Sequence, residues 1–255
     1  MKYSIGLLSL AIACGDAGTE ADSTDPVGHE TAAISNKDFD VQFTDCTVFA
    51  GLARVSMVRA RALVPAAYTL FDDGGSARMV VRVAKCASTV VDGHQKGTTV
   101  VSHIGIGLVG PDTTVSLNNY TLWYATDNAL LHARLTAAGV PADKSNAVDL
   151  TYTGGVLTVT SGSSHTPSFV VTGPAALGTG APVPTSASWW DDGSRGAIRS
   201  RTVLPVIQFG TATTVLTTPA GSELADLIGG TTLTFPVLDS YNLFPSGTME
   251  VRDTD

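Results

Sequence analysis

The side chains that carry most enzymatic chemistry are scarce in this sequence. Charged residues make up 15% of the 255 positions, and they include only five lysines and four glutamates. Glu20, Glu30, Glu223 and Glu250 lie towards the two ends, so the expected central strands offer no glutamate as a tuned acid or base. Lys85, Lys96 and Lys144 are the lysines of the body, in turn or strand-end surroundings, with Lys2 and Lys37 ahead of it. There is no GxSxG elbow, P-loop, GxGxxG turn or HExxH, which removes the common signatures of hydrolases, nucleotide binders and zinc peptidases. The three cysteines show no CxxC spacing, and His94, His103, His132 and His165 are scattered. No metal set is expected, and no cofactor is implied. Positive charge is also short: the formal net charge is -8, which repels a phosphate backbone and argues against a nucleic-acid partner. Past the N-terminus no run reaches the roughly 18 apolar residues of a membrane-spanning helix.

What is present begins with an address. Met1-Lys2 is a short positive start, Tyr3 to Ala13 is apolar, and small residues precede Cys14, the pattern of a signal peptide over residues 1–13. Leu10-Ala11-Ile12-Ala13-Cys14-Gly15 resembles a bacterial lipobox, with Ala11 where leucine is favoured. The resemblance implies cleavage before Cys14, lipidation of Cys14, and a protein of the bacterial cell envelope. Acyl chains then anchor it to a membrane surface; the alternative is a secreted protein. Residues 14–37, rich in Gly, Asp, Thr and Ser, read as a flexible acidic tether. With Cys14 lipidated, Cys46 and Cys86 form an even pair in an oxidising compartment. Each sits in a strand-like stretch, so a disulfide is the expectation and two buried thiols the alternative.

Residues 38–255 read as one mostly β domain. Runs rich in Val, Thr, Ile and aromatics over 47–58, 78–83, 98–109, 119–125, 147–152, 156–161, 168–171, 197–209, 213–217 and 231–237 alternate with turn signals such as Asp92-Gly93 and Gly154-Gly155. This is the texture of an antiparallel sandwich or barrel. Two helices interrupt it: a longer one over Asp127–Gly139, capped by Asp127-Asn128 and stopped by Gly139, and a shorter one over Ser222–Gly229.

Candidate binding residues follow from strand alternation. His103 shares a face with Val101 and Gly105 and is expected to point inward. Tyr120, Leu122 and Tyr124 are expected on one face of their strand, with Thr121 and Trp123 on the other. Of Trp189 and Trp190, one ring is expected inside and one at an edge or pocket mouth. Arginines cluster at 54, 59 and 61, on or beside one strand-like stretch and expected to split between its two faces, and at 195, 199 and 201. An arginine facing a cavity suits a carboxylate, because its fork of donors matches planar oxygens.

The order of Leu63-Val-Pro-Ala-Ala-Tyr68, Ala77 to Val83 with Cys86, Tyr120-Thr-Leu-Trp-Tyr-Ala-Thr-Asp127, Ala138-Gly-Val-Pro141 and Trp190-Asp-Asp-Gly-Ser-Arg195-Gly196 resembles the acetoacetate decarboxylase-like superfamily. That resemblance implies an antiparallel β-barrel or cone around a cavity. The decarboxylase forms a Schiff base on a lysine beside a second lysine, with Glu and Arg partners. This sequence has no adjacent lysine pair and no central glutamate, so those catalytic residues carry over to no position. The expectation is a lipid-anchored protein whose cavity binds a small apolar or carboxylate-bearing ligand without decarboxylase chemistry, through Arg82, His103, Tyr120, Trp123, Tyr124 and Trp190. Alternatives are a lyase or isomerase using the same cavity, and a structural or adhesive envelope module.

Overall fold

A computed structural model describes residues 38–193 and 196–254. The signal peptide, Cys14, the tether and Arg195 lie outside the described residues. The β-branched runs become seven long strands that close into a barrel: β1 (Phe39–Ser56), β2 (Ser76–Val91), β4 (Thr99–Gly107), β5 (Leu117–Thr126), β10 (Val183–Gly193), β11 (Gly196–Ile207) and β15 (Leu238–Asp253). The order is β1-β15-β11-β10-β5-β4-β2, and pairing of β2 back onto β1 completes the ring, leaving no open edge within it. Every neighbour is antiparallel except β10 beside β5. Short β3 (His94–Lys96) extends β2, and β6 (Ala142–Lys144) extends β5.

At the closing seam Cys46 lies opposite Cys86, and the two are joined, so the expected disulfide is formed. A second sheet, β14-β13-β9-β8-β7 with β12 on β9, packs on the outside of the barrel. Its strands are β7 (Asp149–Thr153), β8 (Val156–Ser161), β9 (Phe169–Ala176), β12 (Thr211–Ala212), β13 (Val215–Thr217) and β14 (Thr232–Thr234). Leu157, Val159, Phe169, Val171 and Leu216 from this sheet meet Phe49, Val81, Val83, Ile104 and Trp123 from the barrel wall in one buried core.

The longer helix forms as expected: α2 (Ala129–Ala138) starts where the Asn128 side-chain oxygen accepts the N–H groups of Leu130 and Leu131, and ends at Gly139 with φ of 101°. Leu131, Leu135 and Ala138 pack with Phe244, Met249 and Val251, so α2 closes one end of the barrel. The shorter α3 (Glu223–Ile228) lies between its Ser222 cap and Gly229.

A third helix, α1 (Met57–Leu63), replaces the end of the strand expected over 47–58, because Ser56 caps the Arg59 N–H and turns the chain. Arg59 and Arg61 therefore do not alternate along a strand, and the Arg61 guanidinium donates to the carbonyls of Val64, Pro65 and Tyr68. Two further corrections concern charge. Lys85 is mid-strand rather than at a strand end, but it points outward to Asp149 at 2.8 Å. Glu250 lies within barrel strand β15, between the inward Met249 and Val251, so alternation turns it outward.

Candidate active site in the barrel interior

Alternation decides what enters the barrel. Arg82 on β2 pairs with His103 on β4, which pairs with Tyr124 on β5, and all three share the inward face. Beyond Tyr124 the β4–β5 register shifts between Ile104 and Gly105, so that Gly105 faces Thr121 and Gly107 faces Asn119. This bulge reverses the expected parity of β5. Tyr124, Thr121 and Asn119 turn inward, while Tyr120 and Trp123 belong to the outer core against α1, α3 and the second sheet. On β10, Trp189 and Asp191 point in, and Trp190 points out.

The inward and outward sets do different work. Tyr120 packs at 5.1 Å from the Tyr68 ring, and Trp190 at 6.4 Å from it. The Tyr68 hydroxyl donates to Asp192 at 2.8 Å, and the Trp190 indole N–H donates to Asn118 at 3.1 Å. Of the six residues expected to line a ligand cavity, the barrel interior therefore unites Arg82, His103 and Tyr124. Tyr120, Trp123 and Trp190 support its wall from outside.

Inside, the His103 ring stacks on Trp189, with centroids 4.5 Å apart and planes 18° apart, and meets Tyr124 edge-on at 3.8 Å. Gly105 makes room for this stack: a Cβ there would come within 2.8 Å of the Trp189 ring. The chamber is unusual in its unpaired polarity. Both ring nitrogens of His103, the Tyr124 hydroxyl, the Thr121, Ser200 and Thr202 hydroxyls, the Trp189 N–H and both carboxyl oxygens of Asp191 are buried without a hydrogen-bond partner of normal geometry. Natural interiors leave few such atoms unmet; of these residues Thr202 borders the cavity at the barrel end described below, and the others are packed in the interior.

Electrostatics separates the two charged residues of the chamber. Burial pushes the Asp191 carboxyl up to about 8, against an opposing pull from the Thr121 hydroxyl and with a further push from Asp192. Asp191 is then an acid, not an anion, at neutral pH. Burial, reinforced by the Arg82 cation, holds His103 well below its ordinary range, so the imidazole is neutral. Burial likewise raises the Tyr124 phenol, with Arg82 opposing and Asp191 adding to the rise. Arg82 itself is lowered by burial but remains a cation. No carboxylate among the described residues pairs with it.

The barrel end opposite α2 is open. A cavity of about 100 Å³ enters there, bounded by Val48, Ala50, Arg82, Thr202, Leu204 and Asn242 among others. A larger neighbouring hollow of about 390 Å³ borders Leu52, Val80, Leu117 and Asn119 at the same end. Among the described residues no lysine faces the interior: Lys85 pairs with Asp149, and Lys96 and Lys144 are exposed. The described residues also hold no group of His, Cys, Asp and Glu able to take a metal ion.

One ring of the tryptophan pair was expected inside, and Trp189 is that ring; sequence reasoning missed Asp191, Thr121, Asn119, Ser200 and Thr202. The signal that could have found Asp191 is the Trp-Trp-Asp-Asp run read as a strand rather than as the approach to a turn, since alternation then puts Trp189 and Asp191 together.

No family model and no curated protein matches the sequence. Solved structures do match. An acetoacetate decarboxylase aligns over 83% of this chain and 87% of its own at 14% identity, with a TM-score of 0.56. The acetoacetate decarboxylase of Legionella pneumophila aligns over 94% and 98% at 11% identity, TM-score 0.56. An acetoacetate decarboxylase-like enzyme from Sphingomonas wittichii aligns over 92% and 97% at 12% identity, TM-score 0.54. At such identities the likeness is one of architecture, and the chain has the barrel fold of the acetoacetate decarboxylase-like enzymes.

Proposed function

We propose that this protein is a lipid-anchored component of the bacterial cell envelope whose barrel binds a small monocarboxylate on Arg82, without Schiff-base decarboxylation. The observation that carries the reading is Arg82, a partly buried, inward-facing arginine in the cavity wall with no carboxylate partner among the described residues. An incoming carboxylate can meet its guanidinium through two parallel charge-assisted hydrogen bonds. The cavity holds about three waters at roughly 30 Å³ each, enough for a carboxylate and a short chain. Among the described residues no lysine faces the interior to offer an amine to a ketone. The lipobox-like segment before Cys14 supports the anchor, and the Cys46–Cys86 bridge fits an oxidising compartment.

Titration of the full chain with formate, acetate, propionate and butyrate at pH 7 tests the reading. Saturable binding is expected, weakened at least tenfold in Arg82→Gln. Equal affinity in the two proteins contradicts it. The neutral acid Asp191 favours a second reading, a lyase or isomerase that moves a proton within the same chamber. That reading requires turnover of a small oxo or hydroxy acid that is lost in Asp191→Asn.

A further inference from the structure

The larger hollow at the barrel end, about 390 Å³, is built from different side chains than the Arg82 cavity. Arg78 on β2, Gly107 on β4 and Asn119 on β5 lie side by side on three adjacent strands. Gly107 is the register partner of Asn119, and a side chain on Gly107 would begin 3.5 Å from the Arg78 Cβ. Because Gly107 carries none, a gap about two strand spacings wide, roughly 10 Å, opens between Arg78 and Asn119. Each flank of that gap holds an unspent donor. The Nδ2 of Asn119, a residue 2% exposed, and the Nε of Arg78 are both buried without a hydrogen-bond partner, and both residues line the hollow.

The rest of Arg78 is held in place. Its second guanidinium nitrogen donates to Asp73 at 3.0 Å, and the group lies over the Phe71 ring, 4.3 Å from the centroid. Arg54 donates to the other oxygen of Asp73 at 3.1 Å, so one carboxylate serves two arginines and the trio keeps one positive charge. The other charged residue of the lining, Asp112, is already engaged: its carboxylate accepts from the Thr114 N–H and hydroxyl, the Ser188 hydroxyl and Arg199. Asn118 ties down the same loop by accepting the Asp112 N–H and donating to the Asp112 carbonyl, so the hollow is formed without a ligand. Much of the remaining lining is apolar, and Val109 and Leu117 border it as exposed side chains.

We propose that this hollow is a second ligand site, separate from the Arg82 cavity, for an amphipathic monocarboxylate. The carboxylate lies over Gly107 between Arg78 and Asn119, and an aromatic or medium-length aliphatic body lies along Leu52, Val80, Val109 and Leu117. A carboxylate only accepts hydrogen bonds and carries one negative charge, which matches the two unspent donors and the one surplus positive charge. The volume is within the range of sites for small organic molecules, whereas the cavity of about 100 Å³ at Arg82 takes only a short acid. The proposal does not depend on the Arg82 reading, since Arg78 and Arg82 line different cavities, with Leu117 bordering both.

The test is calorimetric titration of the full chain at pH 7 with benzoate and with hexanoate, repeated on Arg78→Gln, Gly107→Val and Arg82→Gln. Gly107→Val fills the gap and keeps both donors and every charge, so it remains informative even where Arg78→Gln loosens the pairing with Asp73. Both acids are expected to bind saturably to the wild type, about tenfold more weakly to Arg78→Gln and to Gly107→Val, and undiminished to Arg82→Gln. Unchanged affinity in either Arg78→Gln or Gly107→Val overturns the proposal. Loss of binding in Arg82→Gln places the ligand in the smaller cavity and overturns it as well. Absence of saturable binding of both acids by the wild type overturns the second site and leaves the Arg82 reading, which shorter acids test, standing.

Discussion

Asp191→Asn also makes a prediction about folding that needs no ligand. An aspartate titrates at about 3.9 in an unfolded chain, whereas burial holds Asp191 up to about 8 in the fold. Below about pH 4 both states carry the proton, and burial of the acid adds no pH-dependent cost. Between about 4 and 8 the unfolded chain releases the proton and the folded one keeps it. Wild-type stability therefore falls by about 1.4 kcal/mol per pH unit on account of this residue, and above about 8 the loss is complete. At pH 7 the gap of about 3 pH units corresponds to about 4 kcal/mol, an upper bound because local relaxation softens it. Asparagine removes the titration. Urea denaturation at pH 4.5, 6, 7 and 8 is expected to show Asp191→Asn within about 1 kcal/mol of wild type at the lowest pH. Its relative stability should then climb steadily and level off near pH 8. Taking the difference between the two proteins cancels the other titrating groups. A difference that stays constant across this range refutes the claim that Asp191 is held as an acid.

Two further perturbations follow from the barrel wall. Cys46 and Cys86 are 40 residues apart, and on the chain-entropy model replacing both with serine lowers stability by about 4 kcal/mol, read from a denaturation midpoint; an unchanged midpoint contradicts a bridge at the seam. Gly105→Ala places a methyl 2.8 Å from the Trp189 ring and against the Tyr120 carbonyl. It should cost about 1 to 3 kcal/mol and shift tryptophan fluorescence, whereas native stability and an unshifted spectrum contradict the close stacking described.

Much of the architecture was legible in the sequence because it follows from local rules. Alternating Val, Thr and Ile marked most strands, and Asn128 with Gly139 bracketed α2 closely. Strands β10 and β15 escaped notice for a physical reason. The first carries small polar residues, Thr185, Ser186, Ala187 and Ser188, and the second contains Asn242, Pro245 and Gly247; β15 is held by β1 and β11, and β10 by its hairpin partner β11 and the distant β5. At the site, strict alternation placed His103 correctly because β4 is regular up to Ile104. It misplaced Tyr120 because one extra residue in β5 flips everything before it. Asp191 was hidden by the same omission of β10, so the interior acid emerged only once the barrel had closed around it.

The most direct test of the binding claim is native mass spectrometry of the purified protein, compared with the same sample denatured and with Arg82→Gln treated alike. The account predicts a small carboxylic acid released near one per chain from the wild type and missing from the variant. A wild-type chain that is bare in both states even after incubation with short monocarboxylates, or one that releases a molecule without a carboxylate, contradicts it.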